Sequence, residues 1–540
     1  MSLKKLFLYL NTVKYLRFFQ IYYRLRRFLP RRKPTKFNKN TLLGQTKWSK
    51  FRNNKKTELV DYNTISLLNV EGNRREWVSH SQSDLRNYHM NYFDFASDIL
   101  NRQEELSVKN DIDNWIKSNT NIEQTPWDPY PTSLRIVNWI KFYLNDNAIN
   151  QKIIDSIARQ ASYLYKNLEF DLYGNHLFRN AKALCFAGTI IQNCESKSWL
   201  AKGKKILLNE MNEQILPDGG NFELSPMYHC NMVEDMLDLL NLFRAVDPLE
   251  FRGIIEKLTD FLPKTFNWLH NMCHPDQGIS FFNDSAFNGS LSLKKLNEYA
   301  ELLDIHPKTI DREGTFILRE SGYAVIRKKN INLICDTGFI GPDYMPGHSH
   351  ADCLSFELSI NNQRVFVNSG ISEYSSSSNR IFQRSTKAHN TISVDDLDSS
   401  EVWQSFRVAR RAFPSATEIK ENSISSSHNG FSRLLKKRVH TRQWEYSNNK
   451  LLIRDLIDGD HKRAIAHFYI HPFIDIYRHS SKQVELKYLD EFICYVDCLE
   501  DDILIEDSFW FPEFGKQEKN KSLVINLNQG KLTTAIKLDK

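Results

Sequence analysis

The chain of 540 residues is 41% hydrophobic and 12% aromatic, apolar material for more than one packed core. With 25% charged residues, 20 Gly and 16 Pro, it is not collagen-like, low-complexity or disordered. The net charge of +7 is lopsided: residues 1–57 hold 17 Lys or Arg and no Asp or Glu, so the rest sums to −10, which excludes a nucleic-acid-binding body because it would repel phosphate.

At the start, Leu3, Leu6, Leu10 and Val13 share one helical face among Lys and Arg, which suits an interfacial helix or an ordinary helix docking on the next domain. Asn11, Thr12, Lys14 and Arg17 break the apolar run before it reaches signal-peptide length, and no small-residue cleavage site follows. No run of 18 apolar residues exists to span a bilayer. From Ile21 to Thr57 the Arg/Lys/Asn-rich sequence with Pro30 and Pro34 predicts a linker or extended segment. The first unit is therefore a basic segment, 1–57.

Residues 58–312 are predicted helical: Ile136, Ile140 and Leu144 recur on one helical face, as do Val233, Met236, Leu237, Leu240 and Phe243. Near Glu313 the period changes to two. Leu354, Phe356, Leu358 and Ile360 alternate before an Asn361-Asn362-Gln363 turn, and LLIRDLID, AIAHFYIHPF and FICYVDC continue the pattern, so 313–540 is predicted as an antiparallel β-sandwich. Helices first and strands after make an α+β multidomain chain. Eight Cys without a Cys-x-x-Cys predict buried free thiols.

Chemistry-bearing residues gather in four places. In YGNHLFRNAKALCFAGT (173–189), Asn175, His176, Arg179 and Asn180 open an apolar helix, where Asn175 could serve as an N-cap. In DGGNFELSPMYHCNMVEDML (218–237), Glu223, Tyr228 and His229 stand at a helix start, a place where Tyr is usually packing. In PGHSHADCLSFEL (346–358), His348 and His350 precede a strand and can bind a metal or divide into base and ligand. In RSTKAHNTISVDD (384–396), His389 and Asn390 enter another strand.

Taken in order, these clusters resemble the heparinase II/III family of polysaccharide lyases, and WDPYPTSLRIVNWI (127–140) is similar to the entry of that family's helical domain. The resemblance implies an incomplete (α/α) toroid followed by an antiparallel β-sandwich, with a groove between them. It implies β-elimination at a uronic acid of an acidic polysaccharide. By motif match, Asn175 would neutralise the C5 carboxylate with His176 assisting, Tyr228 would shuttle a proton, and His348 would act as the opposite base or stabilise charge. Amide and imidazole donors suit this work because removing a proton beside a carboxylate builds a second negative charge there. Arg179, Glu223 and Arg384 are expected to bind substrate, and Lys387 and the Trp127, Trp139 and Trp403 rings fit a sugar groove less specifically.

The resemblance also implies a zinc ion held by His350, by the residue at position 368 and by His389. Here position 368 is Asn in place of the expected acid, and a neutral amide is a poorer zinc ligand than a carboxylate. The partner implied is an acidic polysaccharide, of bacterial surface or capsular origin, met in the cell envelope or periplasm. A chain without an evident export signal makes a cytoplasmic or inner-membrane-associated location the alternative. A second reading keeps the fold but makes the protein a non-catalytic glycan-binding or polysaccharide-assembly protein. A third makes the basic segment 1–57 a peripheral membrane contact.

Overall fold

A computed structural model describes residues 3–539 except 45, 53–57, 60, 62, 98–101, 308–312 and 434–436. The expected boundaries at 57 and 312 fall on residues outside that set. The helical period is realised in successive helices Arg102–Ser118, Pro129–Leu144, Gln151–Lys166, Gly174–Ile190, Ser196–Gln214, Pro226–Val246, Arg252–Asn271 and Leu293–Leu302. Their starts follow capping chemistry: Asn150 and Ser225 accept the backbone N–H of Ile153 and Tyr228, and Pro stands at the first helical position of Pro129–Leu144 and Pro226–Val246. The helices close on one core that includes Trp115, Trp127, Trp139, Phe186, Leu240 and Phe266. Trp127 and Trp139 belong to this core, so neither offers a face to a sugar.

Beyond it lie two large antiparallel sheets. The first has nine strands, in which Ala464–Ile470, Gln363–Phe366, Phe356–Ile360, Ile331–Asp336 and Tyr323–Lys328 are successive neighbours. The second has eight, with Val439–Ser447, Lys450–Asp458 and Lys531–Lys537 at its centre. Strands of the second sheet alternate buried and half-exposed residues, as a sheet with one face in water must. In the first sheet Ile331–Asp336, Phe356–Ile360 and Ala464–Ile470 are buried at every position, because one face packs on the second sheet and the other on the helices. Leu224, Trp268 and Phe282 on the helical side meet Tyr323, Val325 and Ile334 of the sheet in one apolar cluster. The turn at Asn361 and Asn362 has φ of 49° and 66°, which Asn tolerates and a two-residue hairpin needs.

The N-terminal segment departs from expectation. The helix Leu3–Val13 is present, but a second helix, Phe18–Arg26, occupies residues read as linker. From there the chain runs extended along the helical domain. Arg31 donates to Asp128, Thr35 N–H to Ser162 Oγ (2.9 Å), Asn40 to Asp155 (2.9 Å) and Trp48 Nε1 to Asn145 (3.1 Å). Arg31 and Asn40, which looked like solvated linker, are spent on docking. The eight cysteines are all free thiols and only Cys194 is exposed. No helix among the described residues is long and apolar enough to cross a membrane.

Candidate active site

Between the helices and the loops of the sandwich lies a cleft of about 1230 Å³, lined by Asn175, His176, Arg179, Tyr228 and His348 together with Tyr130 and Tyr374. Asn175 is not the cap of its helix. That place is taken by Tyr173 at φ 59°, followed by Gly174 at φ 56°, and this left-handed entry puts Asn175 one position inside the first turn with its side chain left for the cleft. A Cβ on Gly174 would lie 2.5 Å from Met345 Cε and 2.9 Å from Glu223 Oε1, so glycine is required on both counts. Asn175 N–H donates to Glu223 Oε1 (3.2 Å), and its Nδ2 reaches Tyr130 Oη (3.4 Å).

His176 is oriented by Glu169, whose Oε1 is 3.1 Å from Nδ1, and its ring lies against that of Tyr130. Burial alone would raise the Glu169 carboxyl, yet His176 and Asn180 hold it below its ordinary value. Arg179 donates from Nε to Asp235 (3.0 Å) and from its terminal nitrogen to Tyr130 Oη. It borders the cleft, and its fork is committed to these two partners.

Tyr228, in the first turn of the helix Pro226–Val246, meets the sandwich side: its ring and that of His348 have centroids 3.9 Å apart, and its hydroxyl is 2.8 Å from that of Tyr374. Burial, then the Tyr374 and Tyr130 phenols and the Asp284 charge, raise the Tyr228 hydroxyl well above its ordinary value, so it is neutral at physiological pH. His348 sits in a loop ahead of Phe356, not on the strand. Its Nδ1 is 2.8 Å from Asp284 Oδ2, while His350 Nε2 is 2.8 Å from Oδ1 of the same carboxylate. Arg380 donates to both oxygens of Asp284. Despite burial, Arg380 and the two imidazoles hold Asp284 well below the usual carboxylate range. An ionised carboxylate only accepts, so His348 Nδ1 and His350 Nε2 are donors here.

Two residues expected to bind substrate are placed elsewhere. Glu223 is buried beneath the cleft, bonded to the Asn175 backbone and 3.7 Å from His348 Nε2; burial raises its carboxyl. Arg384 is fully buried and donates to the carbonyls of Ser349 (2.9 Å) and Gln404 (2.9 Å). It clamps the loop carrying His348, because a guanidinium out of water must spend its donors on backbone oxygens. Lys387 pairs with Asp396 at the surface, and Trp403 Nε1 donates to Thr12 of the N-terminal helix.

The residues at the expected zinc position fit a metal ion, with one exchange. His350 Nδ1 faces His389 Nε2 at 3.0 Å, and His389 Nδ1 donates to the Ser385 carbonyl (2.7 Å). With both outer nitrogens protonated, the facing nitrogens both present lone pairs. Burial pushes His350 down to about 4 and lowers His389 as well, so neither supplies the proton that would join them. A cation between them resolves the conflict, and the Asp352 carboxylate lies with both within 4.8 Å. Asn368 is not part of this set: its Oδ1 accepts Asn390 N–H (3.1 Å) and its own N–H donates to Glu357 (2.7 Å). An acid that could serve such an ion in place of one at position 368 stands two residues after His350, at Asp352.

Sequence reasoning missed Tyr130, Tyr374, Asp284, Arg380 and Asp352. Tyr130 and Asp352 lay inside quoted motifs, in WDPYP and GHSHAD. Asp284 and Arg380 become partners only across 96 residues of chain.

Residues 78–311 match the family model described as Heparinase II/III N-terminus, and residues 311–539 match Heparinase II/III-like, C-terminal. A curated heparin-sulfate lyase of Bacteroides stercoris is 27% identical over 266 residues, 44% of this chain and 38% of the relative. Another, from Bacteroides thetaiotaomicron, is 25% identical over 327 residues, 52% of this chain and 46% of the relative. The chain thus spans less than half the length of these relatives. Among solved structures, a heparinase III superposes with a TM-score of 0.67 at 18% identity, over 86% of this chain and 79% of that one, which shows the shared toroid and sandwich.

Proposed function

Because the chain belongs to the heparinase II/III family, with its matched regions running from residue 78 to 539, we propose that it is a polysaccharide lyase that cuts a uronic-acid-containing acidic glycan by β-elimination. The observation that carries this reading is the convergence of Asn175, Tyr228 and His348, distant in sequence, on one cleft. In the reaction the C5 proton is removed, the C4–O4 bond breaks, a C4=C5 double bond forms and O4 leaves with a proton. Asn175 Nδ2 would donate to the uronate carboxylate, where charge builds as the C5 proton departs, and His176, with Nδ1 given to Glu169, would assist from Nε2 in its imidazolium form. His348, with Nδ1 committed to Asp284, has Nε2 as its basic nitrogen, and the neutral Tyr228 hydroxyl has a proton to give to O4. Each such transfer contributes roughly two to four orders of magnitude in rate.

The family and the curated relatives, which are named heparin-sulfate lyases, support this substrate class. Bacterial capsular and surface polymers carrying uronic acids fall within the same chemistry. We further propose that Zn2+ is held by His350, His389 and Asp352. When bound, it would join the two facing imidazoles and brace the loop that presents His348 to the cleft.

The test is to incubate the protein and its Tyr228→Phe variant with heparan sulfate and a set of uronic-acid-bearing bacterial polysaccharides while following the ultraviolet absorbance of the unsaturated uronate. Absorbance should grow with the parent and fall at least a hundredfold in rate with the variant. A flat trace on every polymer, with binding retained, would replace the lyase reading with a glycan-binding one.

A further inference from the structure

The N-terminal segment lies outside both matched regions, and its inner side forms part of the cleft. Thr12 donates to the Val408 carbonyl (3.1 Å) on the sandwich side, while Arg17 pairs with Glu213 and Arg27 Nε with Asp171 (2.6 Å) on the helical side. The segment therefore bridges both walls, and it brings Arg24 and Arg27 to the cleft lining, where Arg407 joins them. Arg24 and Arg27 share one carboxylate, Asp171, and Arg407 adds a third positive charge next to Arg24. Among the described residues no hydrogen bond or ion pair engages the Arg24 side chain, which is exposed at the cleft rim, where the Arg27 and Arg407 charges oppose its own and Asp171 attracts it. Arg407 is held over the rings of Tyr9 and Trp403, at 5.1 and 4.9 Å. All three line the same cleft as Asn175 and His176.

We infer that Arg24, Arg27 and Arg407 form a subsite for an oxyacid group, carboxylate or sulfate, on a sugar next to the one that reacts. The choice of ligand rests on the lyase reading. Planar forks suit such groups bidentately, and an incoming anion relieves the repulsion among the three.

The test measures binding of a heparan sulfate tetrasaccharide, and of the same oligosaccharide chemically desulfated, to Tyr228→Phe protein with and without Arg24→Gln. Arg26→Gln, on the same helix and off the cleft lining, is the control. Arg24→Gln should weaken binding about tenfold with an unchanged melting temperature, and Arg26→Gln should not. Weakening with both oligosaccharides assigns the site to carboxylate, and weakening with only the sulfated one assigns it to sulfate. Equal binding by the Arg24→Gln and Arg26→Gln proteins, or no binding by the parent, overturns the subsite. Should the Tyr228→Phe protein bind in this manner while the chain with Tyr228 intact does not eliminate, the subsite stands and the lyase reading falls.

The outer side of the same segment carries a separate inference. Phe7, Phe18, Phe19, Leu25, Phe28 and Leu29 are exposed, Phe18 by 76% and Phe28 by 88%, a concentration of bare apolar surface that soluble surfaces rarely show. Lys14, Arg26, Arg32 and Lys33 stand among them, and the segment contains no acidic residue. A second copy on this face would set like charges against each other. An anionic bilayer complements both the apolar and the basic groups, and we propose that this face docks on one. Flotation with phosphatidylcholine vesicles, with and without phosphatidylglycerol, tests it. The protein should float with the anionic vesicles, be released by high salt, and lose about tenfold in binding with Phe18→Ser and Phe28→Ser together. Flotation equal on neutral and anionic vesicles, no flotation at all, or a dimer in light scattering that the double variant abolishes, overturns it.

Discussion

His350 Nδ1 and His389 Nε2 stand 3.0 Å apart as two acceptors, each ring having given its other N–H away, to Asp284 and to Ser385. Facing lone pairs in a buried site call for a cation. Protein expressed with zinc should therefore hold about one ion per chain by elemental analysis, since two imidazoles and one carboxylate leave a fourth position open. Removal of the ion should lower the melting temperature. Asp352→Asn should cost at least about tenfold in zinc affinity, a ligand oxygen having lost its charge. Asn368→Ala should leave metal content unchanged, and loss of zinc in that variant instead would return the ligand to position 368.

Asp284, buried behind His348, holds His348, His350 and both arms of Arg380. Asp284→Asn leaves the Arg380 guanidinium buried without a countercharge, which costs about 3–5 kcal/mol and should shift the urea midpoint accordingly. Its pH dependence has a defined sign. The folded carboxyl lies below its unfolded value of about 3.9, so its stabilisation is present above that pH and disappears as the medium is acidified further. Acid unfolding of Asp284→Asn should lack this part of the slope.

Much of this architecture is legible from pattern, because periodicity reports which face of an element is buried. The switch from the helical to the alternating period near Glu313 is realised in the strand Gly314–Leu318, and Asn361-Asn362 is the hairpin it looked like. Asn175, His176, Tyr228 and His348 do share one cleft, since each sat in a short motif at the edge of an element. Arg384 and Glu223 were misread because a charged side chain beside a reactive one looks alike in sequence whether it faces solvent or clamps a loop. The helix Phe18–Arg26 was hidden by the arginines at its end, where Arg27, just past the last turn, pairs with Asp171, a partner that no local pattern reveals.

Glu210 offers a pH test away from the cleft lining. It is buried under the start of the Asn175 helix, where Gln214 donates both to its Oε2 (2.7 Å) and to the Gly174 carbonyl (3.0 Å). Burial pushes its carboxyl up to about 7. The folded state thus binds a proton more tightly than the unfolded chain, whose Glu titrates near 4.3, so stability falls as pH rises from there to 7 and levels off above. The full effect is on the order of 3 kcal/mol. Glu210→Gln should therefore gain most over the parent at pH 8 and least at pH 4. A constant difference between the two proteins across that range would show that the buried carboxyl is not shifted.

Gly174 gives the sharpest separation of stability from activity. Alanine there must hold φ at 56°, a left-handed conformation costing about 1–2 kcal/mol, and its Cβ would press on Met345 and on the Glu223 oxygen that holds Asn175. Pushing Glu223 aside moves the Asn175 amide, and a displacement of about 1 Å at a reacting group can cost about a hundredfold in rate. Gly174→Ala should thus lose about 2 kcal/mol of stability and at least tenfold in elimination rate. Trimming Met345 to Ala in the same chain relieves the contact with that side chain and leaves the backbone strain and the Glu223 contact in place. The double variant should recover part of the stability and little of the rate. Full recovery of the rate would place the damage in Met345 and free Glu223 of its role in positioning Asn175.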